Sequence, residues 1–205
     1  MFRLFETIAI EFFKPQNLEY HQQRLDDSYR KLFKTKCHFN LQAFFEELSI
    51  PDARRYKWRF DYSPTICKST VELYIPKMIQ SVGFVEVSSY FDYSLKYVDR
   101  TFFSEIRAQF SEFDEVIMTK NGFLTDTTIA NIVVEYKNDL QFYTPITPLL
   151  CGTYRKKLLE EGFLTERKIH IDEIKEIKNL FFINAMLPFD ESKGWNPKNI
   201  DLKSL

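Results

Sequence analysis

The sequence is poor in glycine, with five in 205 residues. None of them falls in a G-x-G-x-x-G or Walker-type pattern, so no nucleotide-phosphate loop is indicated. Its three cysteines, Cys37, Cys67 and Cys151, are odd in number and follow no metal-ligand spacing. Reduced thiols are expected, with no disulfide framework and no metal site. No apolar run is long enough to cross a bilayer. The opening MFRLFETIAIEFF alternates apolar and polar residues and carries Glu6 and Glu11, which reads as a strand rather than a signal peptide. An excess of one charge is also lacking: 28 basic residues stand against 29 acidic ones, net -1. Their interspersion argues against nucleic acid as the main partner. A soluble, cytoplasmic protein with neither nucleic-acid nor membrane partners is expected.

Aromatic residues are plentiful, at 17 % of the chain, which suits a sheet-rich globular fold. The first strand is expected over about 2–13. A helix follows over about 18–34, with Leu18, Leu25, Tyr29 and Leu32 on one face. The short helix LQAFFEEL stops before Pro51. RYKWRFDYS, STVELYIP and GFVEVSSYF read as strands and close a first lobe near residue 90. Beyond YSLKYVDR (93–100) comes a helix over about 101–112. Asn121-Gly122 and Asn138-Asp139 mark hairpins. GTYRKKLLEEG is a helix bounded by Gly152 and Gly162. TERKIHI (a strand), DEIKEIK (a short helix) and NLFFINAML (a buried strand) complete an α+β pattern. The expected division is a small N-terminal α+β lobe over 1–92 and a larger C-terminal lobe over 93–205.

Three stretches could carry chemistry. His21, Arg24 and Ser28 share a helix face beside the apolar stripe, where an arginine either snorkels outward or meets a desolvated anion. His21 by itself reads as a structural histidine. In PLLCGTYRKK a glycine leads into a helix and exposes the backbone N–H groups of Thr153 and Tyr154, which is either a plain cap or an anion site. In GFLTDTTIANIVV, Asp126 is either a solvated turn residue or a carboxylate that meets a protonated nitrogen. Asn131 can orient the loop through backbone bonds. By itself Lys96 reads as a surface lysine.

Taken in order, FET, HQQR, LKYVDR, TDTTIANI, CGTYR and FINAMLP resemble the class IV pyridoxal-phosphate enzymes. That family includes branched-chain and D-amino-acid aminotransferases and 4-amino-4-deoxychorismate lyase. The resemblance spans residues 5 to about 190. It implies a two-lobed fold type IV architecture, D-amino-acid aminotransferase-like, with the cofactor in the cleft between the lobes and a homodimer closing part of the pocket. Lys96 matches the lysine that forms the Schiff base with pyridoxal 5'-phosphate. Arg24 matches the arginine for its phosphate, and Thr153 and Tyr154 match the turn that completes that anion site. Asp126 matches the carboxylate for the pyridine nitrogen, where the family usually has glutamate. Being one methylene shorter, it implies a deeper ring or an intervening water. Asn131 matches a structural asparagine, and Asn184 and Ala185 match the asparagine-alanine segment of the lyases.

Arg100, four residues after Lys96, and INAMLP (183–188) resemble the lyase branch more than the aminotransferases, many of which carry a tyrosine where Thr101 stands. Ala9 departs from the arginine common in the lyases. The segment that in the family usually precedes FET and walls the substrate pocket is expected to be missing. The activity implied is conversion of 4-amino-4-deoxychorismate to 4-aminobenzoate and pyruvate, for folate synthesis. A class IV aminotransferase on branched-chain or D-amino acids is the alternative, as is a degenerate cofactor-binding protein. Arg100 and Arg155 are of the right type to hold a substrate carboxylate, or are salt-bridge partners.

Overall fold

Alternation in LFETIAIE builds the first strand, β1 (Leu4–Glu11), in a computed structural model that describes residues 3–197. Leu4, Ile8 and Ile10 on one face are fully buried. β1 turns tightly into the two-residue β2 (Lys14–Pro15) and pairs antiparallel with β3 (Tyr56–Tyr62), which pairs with β4 (Cys67–Leu73), giving the order β2-β1-β3-β4. Helix α1 (Leu18–Phe33) lays Leu25 and Tyr29 on this sheet, and α2 (Leu41–Glu46) adds Leu41. Period-two alternation sends Trp58, Phe60 and Tyr62 of β3 into the same core. Each such side chain contributes roughly 1.5–3 kcal/mol of burial free energy. Asn40 caps α2, its Oδ1 accepting from the Ala43 N–H at 3.2 Å.

The expected strand over 2–13 ends early. Phe12 and Phe13 both take left-handed φ, 49° and 62°, and make the turn themselves. Phenylalanine is an uncommon choice for that conformation, so no turn residue announced it.

The chain forms two compact units. One runs up to Pro76 and includes Leu95–Asp99; the other comprises Lys77–Ser94 and the chain from Arg100 onward. This differs from the division expected at 92/93 in two ways. β5 (Val82–Glu86), expected in the first lobe, pairs in parallel with β6 (Glu115–Lys120) of the second sheet. Leu95–Asp99, expected in the C-terminal lobe, is stitched to the first sheet. There the Phe5 N–H donates to the Lys96 carbonyl at 3.0 Å and the Val98 N–H to the Arg3 carbonyl at 3.0 Å.

In the second unit, β6 and β7 (Phe123–Thr127) form the hairpin read from Asn121-Gly122, both at left-handed φ, as a type I′ turn requires. β8 (Asn131–Tyr136) is central, antiparallel to β7, to β9 (Phe142–Pro145) and to β11 (Ile177–Ile183). β10 (Leu164–Arg167) runs parallel to β9 at one end and β5 lies at the other. The helices are α3 (Thr101–Gln109) and α4 (Thr153–Glu160). Ile132, Val134 and Leu180 pack in one cluster of the core; Val133, Leu158 and Ile183 pack in another. No helix among the described residues is long and apolar enough to cross a membrane.

Candidate functional site

Position 6 breaks the apolar face of β1: Glu6 occupies a core position between Leu4 and Ile8 and is 0 % exposed. A carboxylate there requires partners, and α1 supplies two from its shared face. Arg24 donates from Nε to Glu6 Oε1 at 2.9 Å and from Nη2 to Oε2 at 2.5 Å. His21 Nδ1 lies 2.7 Å from Oε2. Burial pushes the Glu6 carboxyl upward, but the Arg24 charge and the hydrogen bonds from His21 and Arg24 outweigh it and hold the pKa at about 2. Burial lowers the His21 pKa despite the opposing pull of Glu6, so a neutral ring donates Nδ1–H to the carboxylate. The Arg24 side chain keeps 15 % exposure. Its guanidinium is thus braced by a buried carboxylate, which fixes its geometry.

Lys96 reaches the opposite face of the same sheet. The bridge between Leu4 and Tyr97 places Lys96 across from Phe5, and Leu95 and Tyr97 pack into the core. Lys96, between them, turns instead towards the Phe5 ring. Its Nζ stands 4.7 Å from the Phe5 ring centroid.

In the second unit, Asp126 and Asn131 face each other across the β7–β8 turn. Asp126 Oδ1 accepts from Asn131 Nδ2 at 2.7 Å, and Oδ2 accepts from the Leu150 N–H at 2.9 Å. Asn131 Nδ2 also donates to the Leu150 carbonyl at 2.9 Å. A Cβ added to Gly152 would lie 1.9 Å from Asn131 Oδ1, so only glycine lets the 150–152 segment approach this strand. Thr153, buried at 4 % exposure, opens α4 directly after Gly152, which makes no side-chain cap. The first N–H groups of a helix have no intrahelical acceptor, and this helix start lies beside the Asp126–Asn131 pair.

Burial raises the Asp126 pKa to about 6, against the lowering effect of Leu150, Asn131 and Arg155. Folded protein therefore takes up a proton that the unfolded chain, near 3.8, releases earlier. Ionising Asp126 lowers stability as pH rises from about 4 to 6, by about 3 kcal/mol. Denaturant unfolding of cofactor-free protein across this range is expected to show Asp126→Asn gaining on the wild type by that amount. A difference between the two that stays constant with pH would assign the proton elsewhere.

The other expected residues have local partners. The Phe189 N–H donates to the Tyr154 hydroxyl at 3.3 Å. Asn184 donates to the Ile129 carbonyl at 3.0 Å, and its Oδ1 accepts from Met186 and Leu187 N–H at 2.7 and 2.9 Å. It thereby ties its own turn, which includes the half-buried Ala185, to the loop before Asn131. Arg155 donates to Thr144 Oγ1, the Pro145 carbonyl and Glu166, joining α4 to β9 and β10. Arg100 donates to the Tyr93 hydroxyl at 3.0 Å and to the Thr128 carbonyl, its guanidinium 4.5 Å from the Phe103 ring. Both arginines thus pin backbone and neighbouring side chains. A cavity of about 370 Å³ in this unit, lined by Tyr93, Lys120, Leu149 and Lys168 among others, borders none of the expected cofactor residues.

Glu6 was not assigned a role from sequence, although its signal was present. An acid on the apolar side of an alternating strand has to be matched by donors from whatever covers it, and His21 and Arg24 share one helix face.

Comparison with known proteins gives the lineage. The family model described as amino-transferase class IV matches residues 94–189. An uncharacterized protein of Haemophilus influenzae is 35 % identical over 188 residues, covering 91 % of this chain and 98 % of that protein. A crystal structure from Haemophilus somnus, named as that of a "putative 4-amino-4-deoxychorismate lyase", has a TM-score of 0.86 at 32 % identity and covers 92 % of this chain and 98 % of its own. A hypothetical aminotransferase of Mycobacterium tuberculosis in a PLP-bound form shares the fold, with a TM-score of 0.75 at 16 % identity over 91 % of this chain and 78 % of that one. The chain belongs to the class IV aminotransferase family of pyridoxal-phosphate-dependent enzymes.

Proposed function

We propose that this protein holds pyridoxal 5'-phosphate and converts 4-amino-4-deoxychorismate to 4-aminobenzoate and pyruvate. The observation that carries the cofactor is the braced Arg24: a buried carboxylate fixes its inner edge, which suits it to a phosphate. The start of α4 at Thr153 suits the same group. Asp126 fits a ring nitrogen, because a buried acid with a pKa near 6 ionises readily once a cation pairs with it. When bound, the cofactor supplies an aldehyde that captures amines and a ring that draws electrons from the carbon bearing them.

In this reading Lys96 would hold the cofactor through its aldehyde, and the substrate would enter as an amine. The freed amine of Lys96 then takes the proton from the substrate's amine-bearing carbon. The ring aromatises as its C–O bond to the enolpyruvyl group breaks, and Lys96 returns the proton to the departing fragment, which leaves as pyruvate. Atoms balance without an oxidant or a second substrate. The likeness to the Haemophilus somnus structure and the INAMLP segment support the lyase over its aminotransferase relatives.

The test is pyruvate release from 4-amino-4-deoxychorismate with no keto acid present, followed in a coupled assay. Release at catalytic rates is the expected result. Amino-group exchange between an amino acid and a keto acid, with no pyruvate from the chorismate derivative, would replace the lyase with the aminotransferase reading.

A further inference from the structure

The cavity of about 370 Å³ in the second unit is walled by residues 91–94, by Lys120, Asn121 and Phe123, by residues 147–149 and by Lys168. Tyr93 and Leu149 are buried while Thr147 and Lys168 are exposed, so it opens to solvent. Its rings are held by neighbours outside it. Phe91 stacks on Phe102 with centroids 3.9 Å apart, Tyr93 meets Phe103 edge-on at 4.5 Å, and Phe123 meets His170 edge-on at 5.1 Å. The Tyr93 hydroxyl accepts from Arg100, and both N–H groups of the Asn121-Gly122 turn donate to Glu86. Walls fixed in this way need little ordering when a ligand enters.

Two lysines line the cavity against one acid, Asp92, whose Oδ1 accepts from the Ser94 N–H at 2.8 Å. Lys120 donates to the Phe91 carbonyl at 2.9 Å, which anchors it at the wall, and it keeps further donors for a ligand. Among the described residues, no hydrogen bond or ion pair engages Lys168. The positive excess suits an anion, and the fixed rings suit a flat apolar body. The volume is at the lower end of the range for small-molecule sites, roughly 300–1,000 Å³, which admits a single ring rather than a dinucleotide. Neither a helix start nor an arginine fork lines it, the two features that favour phosphate. We propose that this cavity is an effector site for a small aromatic carboxylate, its charge met by Lys120 and Lys168 and its ring by the aromatic wall. Leu149 carries the effect. The next residue, Leu150, donates its N–H to Asp126 Oδ2 at 2.9 Å, and its carbonyl accepts from Asn131 Nδ2 at 2.9 Å. Pro148 stiffens this stretch, so a ring bearing on Leu149 acts one residue away from the Asp126 carboxyl. The effect on the cofactor rests on the reading of Asp126 as its partner; the binding does not.

Calorimetric titration compares benzoate with benzamide and with inorganic phosphate, before and after loading with pyridoxal phosphate. Wild type is expected to favour benzoate over either by about tenfold or more, the worth of a charge-assisted hydrogen bond. Lys168→Gln and Lys120→Gln should each weaken benzoate about threefold and together bring its ratio to benzamide close to one. Lys168→Gln, at an exposed position, decides the matter if the change at Lys120 disturbs the wall. Absorbance titration then measures cofactor affinity with and without benzoate. A change of about fivefold or more is expected in the wild type and a smaller one in Lys168→Gln at the same benzoate concentration. Competition at the cofactor site would be equal in both, and that result overturns the proposal. So does equal binding of benzoate and benzamide, a preference for phosphate, benzoate binding untouched by the lysine variants, or a cofactor affinity that benzoate leaves unchanged. Failure of the cofactor reading shows separately, as wild type that gains no visible band yet still binds benzoate through Lys168.

Discussion

Lys96→Ala is expected to remove turnover, by at least about 10⁴-fold, and with it the visible band of cofactor bound to the lysine. The fold should survive almost unchanged. Lys96 is tied to the first sheet through its backbone, whose carbonyl accepts from the Phe5 N–H at 3.0 Å, and alanine keeps that bond. The losses in the folded state include the packing of the lysine stem and its contact with Phe5 at 4.7 Å, the latter about 1 kcal/mol at a half-exposed position. Chemistry and stability therefore separate in this variant. Absorbance, pyruvate release and thermal unfolding are measured on the same preparation. Borohydride reduction should fix cofactor on Lys96 in the wild type and leave the variant unlabelled. Wild-type turnover in Lys96→Ala would remove the lysine from the mechanism, and a collapse in melting temperature would make it a structural residue instead.

The sequence made some of this legible because the interactions concerned are local. Asn121-Gly122 specifies its own hairpin, since both residues tolerate left-handed φ. The apolar stripe of α1 specifies its buried face, so Leu25 and Tyr29 were readable as core. Alternation in YKWRFDY placed Trp58 and Phe60 inside. What stayed hidden depends on partners distant in sequence. β5 looks like one more strand after β4, and only its parallel partner β6, which follows an intervening helix, shows which sheet it joins. Residues 95–99 carry no periodic signal for their place beside β1, which two backbone hydrogen bonds and one bridge establish. The same holds for side chains. The family resemblance picks out Lys96, Arg24 and Asp126, but sequence spacing does not reveal that Arg100 and Arg155 spend their donors on Tyr93, Thr128 and Pro145. Nor does it reveal that Arg59 lies over the same ring as Lys96.

Glu6→Ala is expected to cost about 3–5 kcal/mol, because it leaves the Arg24 charge and the His21 N–H without their buried acceptor. Against a total stability of roughly 5–15 kcal/mol for a typical domain, that is a large fraction. Glu6→Gln keeps the shape but loses the charge, and one of its two terminal atoms turns from acceptor to donor, so a smaller loss is expected. Acid should expose the same dependence. The Glu6 pKa is about 2 in the folded protein against an ordinary 4.5, so its stabilisation is complete above pH 4.5 and is lost as pH falls towards 2. The difference amounts to about 3 kcal/mol, and Glu6→Gln should lack it. Cofactor affinity, from absorbance titration, should fall in Glu6→Ala much as in Arg24→Ala, because an unbraced guanidinium loses the geometry that suits it to the phosphate. Since both changes dismantle one unit, the double variant should cost clearly less than the sum of the single ones. Strict additivity in stability and in cofactor affinity would show that Glu6 and Arg24 act separately, and the brace would then have no part in holding the cofactor.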